Sequence, residues 1–224
     1  MSYFNTSFLT FLQDLSTNNT TEWFNQNRKT YEKEVKKPFS DFVEEMIRRI
    51  REHEPDLQIK PSDAIARINK DIRFSKDKTP YNTHVAANIS VYGKKDKSYP
   101  GFFFRLSPEN INIYGGVYAA ENPVIQAIRT YIASNREAFK KAYSDPLFAT
   151  KYGTIQGEQS KRMPPEFKDA VLEEPLISNK QFYFSATLPA SLITSPQLAD
   201  ELMEHYLAAK NVSDFLRAAR TDLK

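Results

Sequence analysis

Val85–Tyr114, VAANISVYGKKDKSYPGFFFRLSPENINIY, decides the fold class. Val85, Ala87, Ile89 and Val91 alternate with Ala86, Asn88, Ser90 and Tyr92, the period of two that lays one face of a strand on a core. A polar turn over residues 93–98 follows, then a second strand at Phe102–Leu106 and a third at Ile111–Tyr114. Only Ser107, Pro108, Glu109 and Asn110 join the last two, so they are expected to run antiparallel. Gly115 and Gly116 close the hairpin where the backbone must bend or something must come close.

Away from this block the period changes to that of helices. Upstream, Phe8, Leu9, Phe11, Leu12 and Leu15 follow the capping candidates Asn5 and Ser7. Asn19 and Glu22 read as a capping box for a second helix carrying Trp23 and Phe24, two core residues rather than a ligand stack. From Tyr31 to Ile50 the apolar positions Val35, Phe39, Phe42, Val43, Met46 and Ile47 recur at helical spacing. Pro38 inside that run predicts a kink, or two abutting helices with Pro38 in the first turn of the second. Downstream, residues 123–143 read as one or two helices and residues 147–163 as irregular. Phe182, Phe184, Ala186 and Leu188 alternate again as a strand, and Ser195-Pro196 opens a last helix with proline at its first position.

Helices, then strands, then helices predict an α+β fold. With a strand over Ile65–Phe74, the expectation is a mainly antiparallel sheet of about five strands, with helices from the N- and C-terminal segments packed on it. All 224 residues are read as a single domain.

Composition narrows the chemistry. Hydrophobic residues at 40% and charged residues at 26% are ordinary for a globular chain, and aromatics at 13% favour a sheet with an aromatic core. The absence of cysteine removes thiolate catalysis, disulfides and thiolate metal sites. The three histidines, His53, His84 and His205, are too far apart in sequence to form a ligand pair, so no metal and no cofactor is expected. His53 reads as a helix-end charge and His205 as a surface residue. MSYFNTSFLTFLQDL lacks the basic start and apolar run of a signal peptide, and no window approaches a membrane span. A cytoplasmic protein without membrane contact is expected.

The charge is not evenly spread. Ile65–His84, IARINKDIRFSKDKTPYNTH, holds five basic residues, Arg67, Lys70, Arg73, Lys76 and Lys78, against Asp71 and Asp77. Its net +3 equals that of the whole chain, so the remainder sums to zero. A concentrated positive field attracts an anion. If the start is extended, Arg67, Asn69, Asp71 and Arg73 share a wet face while Ala66, Ile68, Ile72 and Phe74 face inward, with a break or bulge near Lys70. Pro80 restricts Thr79 and fixes a turn that presents Lys78 and Tyr81.

Two readings of this stretch stand side by side. In the first, Arg67 and Arg73 fork onto a phosphate or carboxylate, Lys76 and Lys78 add field, Tyr81 lines the wall, and His84 or Asp71 moves a proton. In the second, Arg67, Asp71 and Arg73 are an ion-pair ladder and the lysines are solvated. Further candidates are Lys161 and Arg162 as a second basic wall, and Gly115, Gly116 and Tyr118 as a pocket floor. Phosphate-binding glycine loops and a Gly-x-Ser-x-Gly elbow are missing. A small anionic ligand is the favoured partner. The alternative is a non-catalytic module for nucleic acid, which is less favoured at so mild a net charge, or for an acidic protein.

The run Arg67-x-Asn69-x-Asp71-x-Arg73-Phe74-Ser75-Lys76-Asp77-Lys78-Thr79-Pro80-Tyr81-x-Thr83-His84 closely resembles the signature of the proteins grouped as domain of unknown function 2461. Other landmarks agree: Leu15 through Asn18-Asn19 to Trp23-Phe24, Tyr31, Gly115-Gly116-x-Tyr118, and the Lys161-Arg162-x-Pro164-Pro165 element. Glu166 departs from the pattern, where a glycine is expected. The resemblance spans nearly the whole chain. It implies one domain and a bacterial cytoplasmic setting, and carries no activity with it.

Overall fold

The computed structural model describes residues 2–96 and 98–220; Lys97, within the expected polar turn, lies outside the described residues. Helix α1 (Thr6–Thr17) starts where the Asn5 side chain accepts from the Phe8 N–H, and buries Phe8, Phe11, Leu12 and Leu15 along one stripe. Helix α2 (Thr21–Gln26) is capped by Thr20, whose hydroxyl accepts from the Trp23 N–H, rather than by the expected Asn19. A single turn, α3 (Arg28–Thr30), runs into a π-helical turn at Tyr31–Lys36 and then α4 (Lys37–Arg51) with Pro38 in its first turn. Pro38 has no N–H and its ring excludes the carbonyl four residues back, so the chain widens just before it, with the Lys37 N–H reaching Glu32. A short helix, α5 (Pro61–Ala64), precedes the sheet.

The architecture is α+β. Four strands, β1 (Val85–Ile89), β2 (Phe102–Leu106), β3 (Asn110–Val117) and β4 (Phe182–Pro189), form one antiparallel sheet in the order β1-β2-β3-β4. The expected strand over Ile65–Phe74 is not among them, which makes four among the described residues where about five were expected. The third strand also runs on through Gly115 and Gly116 instead of ending there. Those glycines let β4 approach closely: a Cβ on Gly116 (φ 82°) would collide with the Phe182 carbonyl, and one on Gly115 with the Phe184 ring.

The chain divides into two compact units, and β2, β3 and β4 each contribute residues to both. The first comprises Met1–Lys94, Phe103–Ile113 and Thr187–Met203. Its core is aromatic: Phe42 meets Phe4 at 5.2 Å and Phe104 at 5.8 Å, both edge-on. From α4 it receives Phe39, Phe42, Val43, Met46, Ile47 and Ile50, each worth about 1.5–3 kcal/mol of burial.

The second unit comprises Lys95–Phe102, Tyr114–Ala186 and Glu204–Lys224. Here α6 (Asn122–Ser134) and α7 (Arg136–Tyr143) are two helices where one or two were expected. They are followed by α8 (Pro146–Tyr152), in a stretch expected to be irregular. The Asp145 side chain accepts from the Leu147 and Phe148 N–H groups, and Phe148 and Tyr152, one turn apart, are both buried. After α9 (Lys168–Glu173), the last helix, α10 (Leu198–Ala218), begins past Pro196. His205 on it is buried at 2% exposure, its carbonyl accepting from the Tyr152 hydroxyl, and is not the expected surface residue. No helix among the described residues is long and apolar enough to cross a membrane.

Candidate functional site

Ile65 and Asn69 face Ala87 and Tyr81 in isolated antiparallel bridges. The Ala66 N–H donates to Ala86 at 2.9 Å, the Asn82 N–H to Ile68 at 2.7 Å and the Lys70 N–H to Pro80 at 2.9 Å. The expected strand thus shrinks to a two-bridge ribbon that ends at Lys70. Beyond it Ile72 and Phe74 do not continue the apolar face, and Phe74 is 94% exposed.

Between Lys70 and Pro80 the loop bonds to itself. Lys70 Nζ donates to Asp77 Oδ2 at 2.8 Å and to Thr79 Oγ1 at 2.6 Å, while Asp77 Oδ1 accepts from the Thr79 N–H at 2.9 Å. Arg73 forks onto Asp71 at 2.9 and 2.7 Å, and Lys78 Nζ donates to the Ile72 carbonyl at 2.9 Å. The Lys70 ammonium and then the Thr79 N–H hold the Asp77 carboxyl well below the usual range, and Arg73 lowers Asp71.

At the root of this loop lies a cavity of about 470 Å³, contained in the first unit. Phe24 of α2, Tyr31 of the π turn, Phe39 of α4, and Ile65, Ile68, Tyr81 and Val85 make its apolar wall. Two interactions fix Tyr81: its ring stacks on Phe24 at 4.0 Å and 16°, and the Asn19 side chain accepts from its N–H at 3.1 Å and donates to its carbonyl at 2.9 Å. The wide turn before Pro38 brings Tyr31, Glu32 and Lys36 to the same wall.

The polar groups of the wall are largely unmatched. Among the described residues, the side chains of Arg67, Asn69, Tyr81 and His84 make no hydrogen bond or ion pair, and neither do the hydroxyls of Tyr31 and Ser40. Tyr81 is 4% exposed, so its hydroxyl depends on the cavity for a partner. The other cations are engaged: Lys94 Nζ donates to the Ser62 and Ile65 carbonyls at 2.6 and 2.8 Å, Arg28 donates to Asn25 at 2.7 Å, and Lys36 stands 3.9 Å from Glu32.

Burial pushes the His84 imidazole down to about 4, with Arg105 and Lys70 adding to the effect and Glu109 opposing it. His84 is therefore neutral at pH 7, able to accept or donate a hydrogen bond without carrying charge. Burial, aided by Glu32, pushes Tyr31 up to about 12, which keeps its hydroxyl a donor.

Of the residues singled out from sequence, Arg67, Tyr81 and His84 come together in this wall. Asp71, Arg73, Lys76 and Lys78 lie in the loop outside it, with Lys76 exposed and without a partner among the described residues. Gly115, Gly116, Tyr118, Lys161 and Arg162 belong to the second unit and do not line the cavity. Tyr118 packs edge-on against Tyr183 at 5.1 Å, and Lys161 and Arg162 are exposed without partners among the described residues. Sequence reasoning did not place Asn19, Arg28, Tyr31, Lys36 or Ser40 at the site. The one local signal was Pro38, which widens the helix beside them.

The model for conserved hypothetical proteins with domain of unknown function 2461 (DUF2461) matches residues 7–215, and the chain belongs to that family. No curated protein and no solved structure matches it.

Proposed function

We propose that the protein binds a small phosphorylated or carboxylated molecule in the cavity walled by Arg67, Tyr81 and His84. One observation carries this reading: Arg67, Asn69, Tyr81 and His84 line one cavity, and their side chains have no partner among the described residues. Tyr81 is only 4% exposed and His84 is half-buried, so a molecule in a cavity of this size would supply the partners their side chains lack, with Arg67 and Asn69, both exposed, adding to its hold. Arg67 supplies the fork for the anion, and the loop cations Arg73, Lys76 and Lys78 add long-range attraction. Of the two groups considered for proton transfer, His84 faces the cavity, whereas the Asp71 carboxylate is taken up by Arg73. On the family resemblance, the reading takes the chain as one domain working in the bacterial cytoplasm.

The test is thermal shift against a panel of phosphorylated and carboxylated metabolites, comparing the parent with Arg67→Ala. The expected result is a rise in melting temperature for some panel members that the variant loses while melting like the parent unliganded. A parent indifferent to every compound overturns the proposal.

A second reading, a non-catalytic module for nucleic acid, has one observation in its favour: the bare Phe74 ring lies 5.9 Å from Arg73, as a stacking residue beside phosphate-binding cations would. It expects binding to single-stranded oligonucleotides that weakens steeply with salt and is lost in Phe74→Ala.

A further inference from the structure

We infer, resting on the ligand reading above, that the molecule held here is a phosphate monoester with an aromatic or similarly flat apolar body, rather than a bare anion or a simple carboxylate. The wall has two chemistries. Arg67, exposed at the rim, and His84 present open hydrogen-bonding groups, whereas Phe24, Tyr31, Phe39 and Val85 present ring and methyl surface to the same space. Inorganic phosphate at Arg67 would leave that apolar surface wet. At about 470 Å³ the cavity is in the range that accommodates drug-sized ligands, far beyond one tetrahedral ion.

The charge balance favours a dianion. Four cationic side chains line the cavity against a single carboxylate, Glu32, which already stands 3.9 Å from Lys36. A phosphate monoester carries close to two negative charges at neutral pH and offers several acceptor oxygens, matching the open donors of Arg67, Asn69 and Tyr81. A carboxylate supplies half the charge and two acceptors.

The experiment is calorimetric titration of the full chain at pH 7 with four probes: phenyl phosphate, inorganic phosphate, benzoate and phenol. Phenyl phosphate is expected to bind at least roughly tenfold more tightly than inorganic phosphate, the factor that burying a phenyl group gives. It should also exceed benzoate and phenol, and Arg67→Ala should weaken it by at least about tenfold, as loss of a charged fork does. Inorganic phosphate binding as tightly as phenyl phosphate overturns the apolar body, and benzoate binding more tightly overturns the phosphate head. Either result leaves the anion reading standing. Phenol matching phenyl phosphate, an Arg67→Ala variant that binds phenyl phosphate like the parent, or silence from all four probes removes this inference and the site together.

Discussion

The loop between Lys70 and Pro80 and the cavity wall at its root are built from neighbouring residues of one basic stretch, yet they use their polar groups in opposite ways. In the loop, Arg73 meets Asp71, Lys70 meets Asp77 and Thr79, and Lys78 meets a backbone carbonyl, all in or near solvent. In the wall, the side chains of exposed Arg67, half-buried His84 and buried Tyr81 make no hydrogen bond or ion pair among the described residues, although the Tyr81 ring stacks on Phe24. Local charge density therefore locates a region but does not say which charges are free. Arg73, two residues from Asp71 in a turning chain, pairs with it; Arg67, held in the ribbon before the turn, acts on Asp71 only at longer range.

The largest expected effect comes from making one substitution in both regions. Phe24→Ala deletes a ring that is 2% exposed and stacked on Tyr81, and should cost about 3–5 kcal/mol in denaturant unfolding. Phe74→Ala deletes a ring that touches almost nothing and should stay within about 0.5 kcal/mol of the parent. Similar costs for the two would mean that the loop is packed in solution and that the contrast is false.

Next in size is Asn19→Ala. It leaves the N–H and carbonyl of nearly buried Tyr81 without their partner and should cost about 1–3 kcal/mol, with amide exchange at Tyr81 accelerating more than exchange within the loop. Unchanged protection at Tyr81 would show that the ribbon holds itself without the clamp.

Asn19 also shows what the sequence could and could not disclose. Its place before Trp23 suggested a helix cap, a local role, but its bonds reach 62 residues along the chain. The strands β1 to β4 were legible because alternation with Phe102, Phe104, Phe182 and Phe184 records a buried face. The ribbon was not, because Ile65, Ile68, Ile72 and Phe74 suggest an apolar face that the turn at Lys70 dissolves. Helix α8 had its signal in Asp145-Pro146, a cap followed by a first-turn proline, which carried more information than the glycines around it. At the site, Arg67, Tyr81 and His84 were found through charge and a proline turn. Tyr31, Lys36 and Ser40 were not, because only tertiary packing brings α4 and the π turn to that wall.

A smaller effect separates the regions by pH. The folded pKa of His84, about 4, lies below the ordinary 6.5, so as acid is added the unfolded chain takes up this proton first. The group's contribution to stability is complete above 6.5 and is lost as pH falls through 6.5 toward about 4. Denaturant midpoints at pH 7 and pH 5 should therefore fall further in the parent than in His84→Gln. Equal falls would mean that the imidazole is as well solvated as the loop.

The smallest effect is expected where the bonds are most numerous. Exchanging Asp71 and Arg73, as Asp71→Arg with Arg73→Asp, keeps the net charge and allows the pair to re-form in solvent, where strong screening and side-chain entropy leave such pairs with little net worth. Melting temperature should not move measurably, and the response to phenyl phosphate should match the parent's, because neither residue lines the cavity. Arg67→Ala, measured beside it, should abolish that response while melting like the parent. If the exchanged pair weakened phenyl phosphate binding as much as Arg67→Ala does, the loop would have to close over the ligand, and the line drawn here between a self-satisfied loop and an open wall would run in the wrong place.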